Sequence, residues 1–188
     1  MTQAAAKLNA FPIFLKVEGR AVAIVGGGDE ALAKARLLGQ SSAEIRIIAE
    51  HVEPSLREWI VAHGVVRIHA SYDASLIEGA VLVFAATGNE ALDRRISEDA
   101  RRLGIAVNAV DRPELCDFFT PALVNRAPVA VAVGTEGAGP VLAQMIRARI
   151  DQMLSPSLGA VATLAVSFRH AAEKLLPKGA ARRRFWSE

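Results

Sequence analysis

The chain has 188 residues, 52% of them hydrophobic, a formal net charge of +2 and one cysteine. That length carries one good core with an appendage rather than two full-sized domains, and a lone Cys116 excludes an intrachain disulfide and a thiolate metal cluster. No apolar run approaches the ~20 residues of a membrane span, and residues 1–10 lack the apolar block and cleavage site of a signal peptide, so a cytoplasmic protein with no membrane partner is expected.

Residues 21–25 are a short apolar run that enters Gly26-Gly27-Gly28. Over 30–39 the spacing turns helical, with Ala31, Ala35 and Leu38 on one side and Lys34 on another. Residues 44–48 read as a second strand, 54–63 as a helix opened by Pro54, and 65–68 as a third strand. The run over 81–85 is continuously apolar, as a parallel strand covered on both faces requires. A helix over 89–103 is stopped by Gly104, and 105–110 is the next strand. This βαβ alternation predicts an α/β fold with a doubly wound parallel sheet. After Asp111 the rhythm changes. A turn at Pro113 leads to two β-like pieces, 122–124 and 129–133, and a Gly-rich turn over 134–139 opens a helix over 140–154. Pro156 breaks that helix, and an amphipathic helix follows over 158–176. The only dense basic run, Arg182-Arg183-Arg184, has no interleaved aromatic residues for base stacking, so no nucleic-acid partner is expected.

The strongest local signal is Gly26-Gly27-Gly28-Asp29-Glu30-Ala31, a G-x-G-x-x-A pattern with a strand before it and a helix after it. Gly26 permits the tight turn, Gly28 lets a pyrophosphate approach the backbone, and Ala31 is small enough for helix to pack on strand. Asp29 and Glu30 either contact that cofactor or complement the helix dipole. About 20 residues further on, Glu50 ends the second strand, where a carboxylate takes the ribose hydroxyls and repels a 2′-phosphate. This favours NAD over NADP; the alternative is a solvated loop acid. His51 beside it is an adenine-side neighbour or a surface histidine. Thr87, after the fourth strand, is either a hydrogen-bond donor to the cofactor or part of a helix cap. Asp111 closes the fifth strand at the same carboxyl edge. Beside Phe118 and Phe119 it reads equally as a carboxyl of raised pKa that exchanges protons with a substrate and as an Asx turn before Pro113. The turn holding Thr135 and Gly137 is an anion nest before a Pro-initiated helix, or a plain connection. His51, His63, His69 and His170 are scattered with no ligand spacing, so no bound metal is expected. The expected division is 1–112 as the Rossmann domain, 113–154 as a dimerisation and active-site segment, and 155–188 as a helical segment. The apolar content after Asp111 predicts a homodimer.

These residues together resemble the N-terminal module of siroheme synthase, also found as a free-standing precorrin-2 dehydrogenase/sirohydrochlorin ferrochelatase. The matching stretches are Phe11-Pro12-Ile13-Phe14, Ile24 through Gly28 with Lys34-Ala35-Arg36-Leu37-Leu38, Asn108-Ala109-Val110-Asp111, Asn125-Arg126-Ala127-Pro128, Val131-Ala132-Val133, Gly139-Pro140-Val141-Leu142-Ala143, and Arg182 through Trp186. The resemblance implies NAD-dependent oxidation of precorrin-2 to sirohydrochlorin, followed in many members by insertion of ferrous iron, which is a substrate there and not a resident metal. It implies that Asp111 does the acid/base work of both steps. It also implies that the cofactor is held near Asp29-Glu30 and Glu50-His51, largely through backbone groups. Asn108, Arg126, Thr135, Gly137 and Arg147 are the residues expected to hold the tetrapyrrole, with Arg149 a further candidate cation. Two positions depart from the family pattern: Thr135 stands where serine is frequent, and Gln144 where an arginine usually follows the Leu-Ala pair. The family's methyltransferase region is too large for this chain, which is expected to be a free-standing enzyme or an excised module. An NAD-sensing regulatory domain, the competing reading, needs neither Asp111 at the sheet edge nor the Gly-rich turn before Pro140.

Overall fold

Five short strands form a parallel sheet: β1 (Ala21–Val25), β2 (Glu44–Ile48), the partly exposed β3 (Val66–Ile68), β4 (Leu82–Ala85) and β5 (Ala106–Ala109), of which β1 and β4 are apolar and buried on both faces. The computed structural model describes residues 7–175, 179 and 184. The strand order is β3-β2-β1-β4-β5, and every pairing is parallel. Side chains alternate between two cores. Val22, Ile24, Ile45, Ile47 and Phe84 face α1 (Asp29–Leu38) and α2 (Pro54–His63), which contribute Ala31, Leu32, Ala35, Leu56 and Ile60. Ala23, Val25, Val83, Ala85 and Val107 face the other way, onto Ile96 and Ala100 of α3 (Glu90–Arg102). Each large side chain fully buried in this way contributes about 1.5–3 kcal/mol, so both faces of the sheet must stay covered.

The helix ends follow from local chemistry. Asn89 caps α3, its Oδ1 accepting from the Leu92 N–H at 3.1 Å. Pro54 starts α2, and Gly64 ends it in the left-handed region, with φ +62. Two 3-10 turns complete this part: Ala74–Ile77, capped by Asp73, and Pro113–Leu115. The first has no counterpart in the sequence reading.

The chain divides into two compact units, Met1–Thr120 and Pro121–Glu188. In the second, β6 (Ala122–Arg126) and β7 (Val129–Val133) form an antiparallel hairpin turning on Ala127–Pro128, whose peptide bond is cis. They are followed by α4 (Pro140–Met153) and α5 (Leu158–Leu175). Leu176 and, apart from Arg184, the stretch 182–186 lie outside the described residues. Among the described residues no helix is long and apolar enough to cross a membrane.

Candidate active site

The strand order reverses between β1 and β4, and their carboxyl ends are level, with Val25 opposite Ala85 and Ala85 opposite Ala109. In open α/β sheets the crevice at that switch point is where ligands bind. Gly26 leaves β1 with φ +141, and a Cβ there would stand 1.9 Å from the Ala86 carbonyl oxygen. The missing side chain therefore lets the loop after β1 lie directly on the loop after β4. Gly27 is equally constrained: a Cβ would stand 1.9 Å from the His51 carbonyl oxygen, and its own carbonyl accepts from the Glu53 N–H at 2.8 Å. Sequence reading assigned Gly27 no role; the third adjacent glycine was the available signal.

Gly28 is different. It caps α1 with extended backbone at φ −101, and no side chain bonds to that helix end. Only the tip of Glu53 comes near, with Oε1 3.2 Å from where a Cβ would stand. The first-turn N–H groups of α1 have no intrahelical partner, and no side chain of the cap bonds to them, the condition under which a helix start can accept an anion. Asp29 is exposed there; Glu30 is half-buried, and its Oε2 is buried with no hydrogen-bond partner among the described residues. Beyond β2, Glu50 is exposed, its Oε1 accepts from Ser71 Oγ, and its carbonyl accepts from Arg67 Nη2 at 2.7 Å. The His51 side chain is exposed.

Thr87 follows β4, but its hydroxyl is engaged within the protein. It donates to Asp93 Oδ1 at 2.6 Å and accepts from the Asn89 N–H at 3.1 Å. The side-chain donation to a cofactor expected of Thr87 is thus taken by a buried carboxylate, while Asn89 provides the helix cap. Asp93 was missed from sequence, where it resembles a surface acid in a charged helix. Its placement on the same helical stripe as Ile96, Ser97 and Ala100 was the signal, because those positions face the core.

Asp111 follows β5 with a left-handed φ of 58. It is exposed rather than half-buried beside Phe118 and Phe119, and its carboxylate hydrogen-bonds to no described residue, so no Asx turn forms. Asn108, buried in β5, turns its amide inward: Nδ2 donates to the Phe118 carbonyl at 2.9 Å and to Cys116 Sγ at 3.3 Å. It braces the segment after Asp111. Lys34 is the cation that sequence reading left without a role. Its Nζ lies 5.9 Å from the centre of the Phe84 ring. Burial pushes its pKa below the ordinary lysine value, against the opposing pull of Asp111, then Cys116 and Glu30. The half-buried thiol of Cys116 is pushed up, chiefly by desolvation.

The remaining expected substrate residues belong to the second unit, where most are engaged by their own neighbours. Arg126 bonds Asp151 Oδ1 at 2.9 Å and the Asp151 and Leu154 carbonyls at 3.1 and 3.4 Å. Arg147 Nε donates to the Leu123 carbonyl at 3.1 Å. Both guanidinium groups therefore tie α4 to β6 and the end of α4. Arg149 is exposed. In the turn before α4, Glu136 and Gly137 have φ 51 and 82; the Ala138 N–H donates to the Thr135 carbonyl at 2.9 Å and the Gly139 N–H to Thr135 Oγ1 at 3.3 Å. Two of the N–H groups expected to receive an anion are used inside the turn.

A model of a putative NAD(P)-binding family matches residues 13–122, and a model of the sirohaem synthase dimerisation region matches residues 157–188. The chain is 43% identical over 178 residues to a siroheme synthase of Ectopseudomonas mendocina, covering 94% of this chain and 38% of that protein. It is 41% identical over 181 residues to a siroheme synthase of Azotobacter vinelandii, covering 96% and 39%. It thus spans less than half the length of these relatives. A solved structure of SirC, a precorrin-2 dehydrogenase, shares the fold with a TM-score of 0.79 at 19% identity, covering 95% of this chain and 88% of that one. The chain belongs to the putative NAD(P)-binding family, on a match over more than half of its residues.

Proposed function

We propose that this chain oxidises precorrin-2 to sirohydrochlorin with NAD, and that the same site then serves insertion of ferrous iron. The observation that carries the reading is Asp111: an exposed, otherwise unbonded carboxylate at the carboxyl edge of a sheet whose neighbouring loops form an uncapped, glycine-lined crevice. The crevice suits a dinucleotide. The bare cap at Gly28 offers backbone N–H groups to a pyrophosphate, and the exposed Glu50 beyond β2 would accept from ribose hydroxyls and repel a 2′-phosphate. NAD, when bound, supplies the acceptor for a hydride.

The oxidation removes two electrons and two hydrogens from the tetrapyrrole, one hydrogen leaving as hydride and the other as a proton. Asp111 takes that proton. Iron insertion releases two pyrrole protons, which the same carboxylate, having returned the first proton to solvent, would accept one at a time and pass on to water; the tetrapyrrole's own four nitrogens hold the metal. Burial disfavours the charge of Lys34, and the Asp111 carboxylate opposes that effect, so a lysine ammonium here would favour a polyanionic substrate. In the second unit, Thr135, Gly137 and the exposed Arg149 are the groups left for substrate carboxylates. Arg126 and Arg147 shape that unit.

The working form is a homodimer. Val141, Leu142, Met145, Met153, Val161 and Leu164 are exposed large apolar residues of α4 and α5, more than an isolated surface of this size ordinarily leaves bare. Light scattering should return twice 20.0 kDa; a monomer at micromolar concentration refutes this.

The reaction is tested by mixing protein, NAD and precorrin-2 and following absorbance, with Asp111→Asn alongside. The near-isosteric amide should keep the fold and NAD affinity and lose ~10²–10⁴-fold in turnover, the usual contribution of a general acid–base group. A well-folded, fully active Asp111→Asn removes the residue from the reaction.

A further inference from the structure

Asp93 in α3 is completely buried, and its two oxygens look to different loops. Oδ1 accepts from the Thr87 N–H and hydroxyl, at 3.2 and 2.6 Å, beyond β4. Oδ2 accepts from Arg112 Nη1 at 2.6 Å, beyond β5. That same nitrogen donates to the Val110 carbonyl at 3.2 Å, so the guanidinium reaches the backbone on the far side of Asp111 from its own Cα. Asp111, between Val110 and Arg112, holds a left-handed φ of 58 that its own side chain does nothing to secure. Non-glycine residues keep such a conformation where the surroundings over-determine it, and these outliers gather at functional sites. The other buried acid of α3, Asp99, serves Tyr72 and Arg102 and joins no carboxyl-edge loops.

We propose that the Asp93–Arg112 ion pair is a positioning clamp: it locks Asp111 in its left-handed turn and sets that turn at a fixed spacing from the Thr87 loop. Neither residue touches the reacting atoms; both act through Asp111 and through the loop that lines the cofactor crevice. The inference rests on the reading of Asp111 as the proton-exchanging group. A carboxylate on a free loop would sample many positions, whereas proton transfer needs it within hydrogen-bond reach of one substrate atom. An ion pair is suited to this because it has one geometry and, with Asp93 fully buried and Arg112 mostly so, is little loosened by solvent.

Three variants test the clamp: Arg112→Lys, Arg112→Met and the double variant Asp93→Asn/Arg112→Met. Removing the cation alone leaves a buried unpaired carboxylate and risks unfolding. The double variant leaves no buried charge and keeps an acceptor for Thr87, so it preserves the test if Arg112→Met fails to fold. The first readout requires no substrate: amide hydrogen exchange by mass spectrometry. In the double variant, exchange across residues 109–117 should accelerate about tenfold while residues 21–48 are unchanged, as local rather than global opening requires. The second is steady-state oxidation of precorrin-2. Its kcat should fall about tenfold or more, the KM for NAD should stay within about twofold, and Arg112→Lys should recover most of the loss. Unchanged exchange across 109–117 overturns the clamp, as does a folded double variant whose kcat stays within about twofold of wild type. A wild-type protein that does not oxidise precorrin-2 refutes the functional reading instead, and hydrogen exchange then decides the clamp alone.

Discussion

Single alanine substitutions at Gly26, Gly27 and Gly28 should separate the glycines that the fold needs from the one that a ligand needs. At Gly26 and Gly27 the added Cβ would stand 1.9 Å from a backbone carbonyl oxygen, of Ala86 and His51 respectively, and a carbonyl cannot rotate away as a side chain can. Relieving such contacts means shifting a loop, at about 1–3 kcal/mol for overpacking. Gly26 adds the strain of its positive φ, of order 1–2 kcal/mol for a residue with a Cβ. Against a total stability of roughly 5–15 kcal/mol, Gly26→Ala should lose roughly 2–5 kcal/mol and Gly27→Ala somewhat less. Gly28 has an extended backbone and meets only the tip of the Glu53 side chain, so Gly28→Ala should change stability by less than about 1 kcal/mol. Its methyl would instead stand where a pyrophosphate approaches, and NAD affinity should fall by an order of magnitude or more. Urea denaturation gives the first quantity and isothermal titration the second. The reasoning is refuted if Gly28→Ala is as destabilised as the other two, or if Gly26→Ala retains wild-type stability.

Glu50→Gln should bring NADP affinity at least tenfold closer to that of NAD, about 1.4 kcal/mol, by removing the charge opposed to a 2′-phosphate; titrations giving an unchanged ratio exclude a ribose role. Lys34→Met should raise the thermal midpoint at neutral pH. Burial lowers the lysine's folded pKa, so the unfolded chain binds the extra proton and wild-type stability climbs as pH rises from the lowered folded value toward the ordinary one. The advantage of Lys34→Met should therefore shrink as pH passes 10, and thermal melts across pH 7–11 check this. Arg126→Met should cost about 1–3 kcal/mol, because it leaves the Asp151 carboxylate and the Asp151 and Leu154 carbonyls without the Nη2 donor that meets all three. A variant of wild-type stability with weakened substrate binding would return Arg126 to the substrate's contacts.

What could be read in the residues divides along a physical line. The strands β1 and β4 were legible because a parallel strand buried on both faces leaves a continuous apolar run. Helix starts at Pro54 and Pro140 were legible because φ and a missing N–H are local properties. The Gly-rich crevice was legible for the same reason, although Gly27 shows that a contact 24 residues away, with His51, can demand a glycine just as strictly as a ligand does. Side-chain partnerships were harder, since spacing along the chain does not say which carboxylate a guanidinium will meet. Arg126 and Arg147 read as substrate cations until Asp151 joined both; only the four-residue step from Arg147 to Asp151 was visible beforehand. Thr87 read as a donor to the cofactor or part of a helix cap, and its hydroxyl instead donates to Asp93. In both units, then, polar groups that seemed free for a ligand are used first to hold the scaffold. Asp111 departs from that pattern: its backbone holds a left-handed conformation while its carboxylate is exposed and hydrogen-bonds to no described residue, which is the arrangement the proposed proton exchange requires.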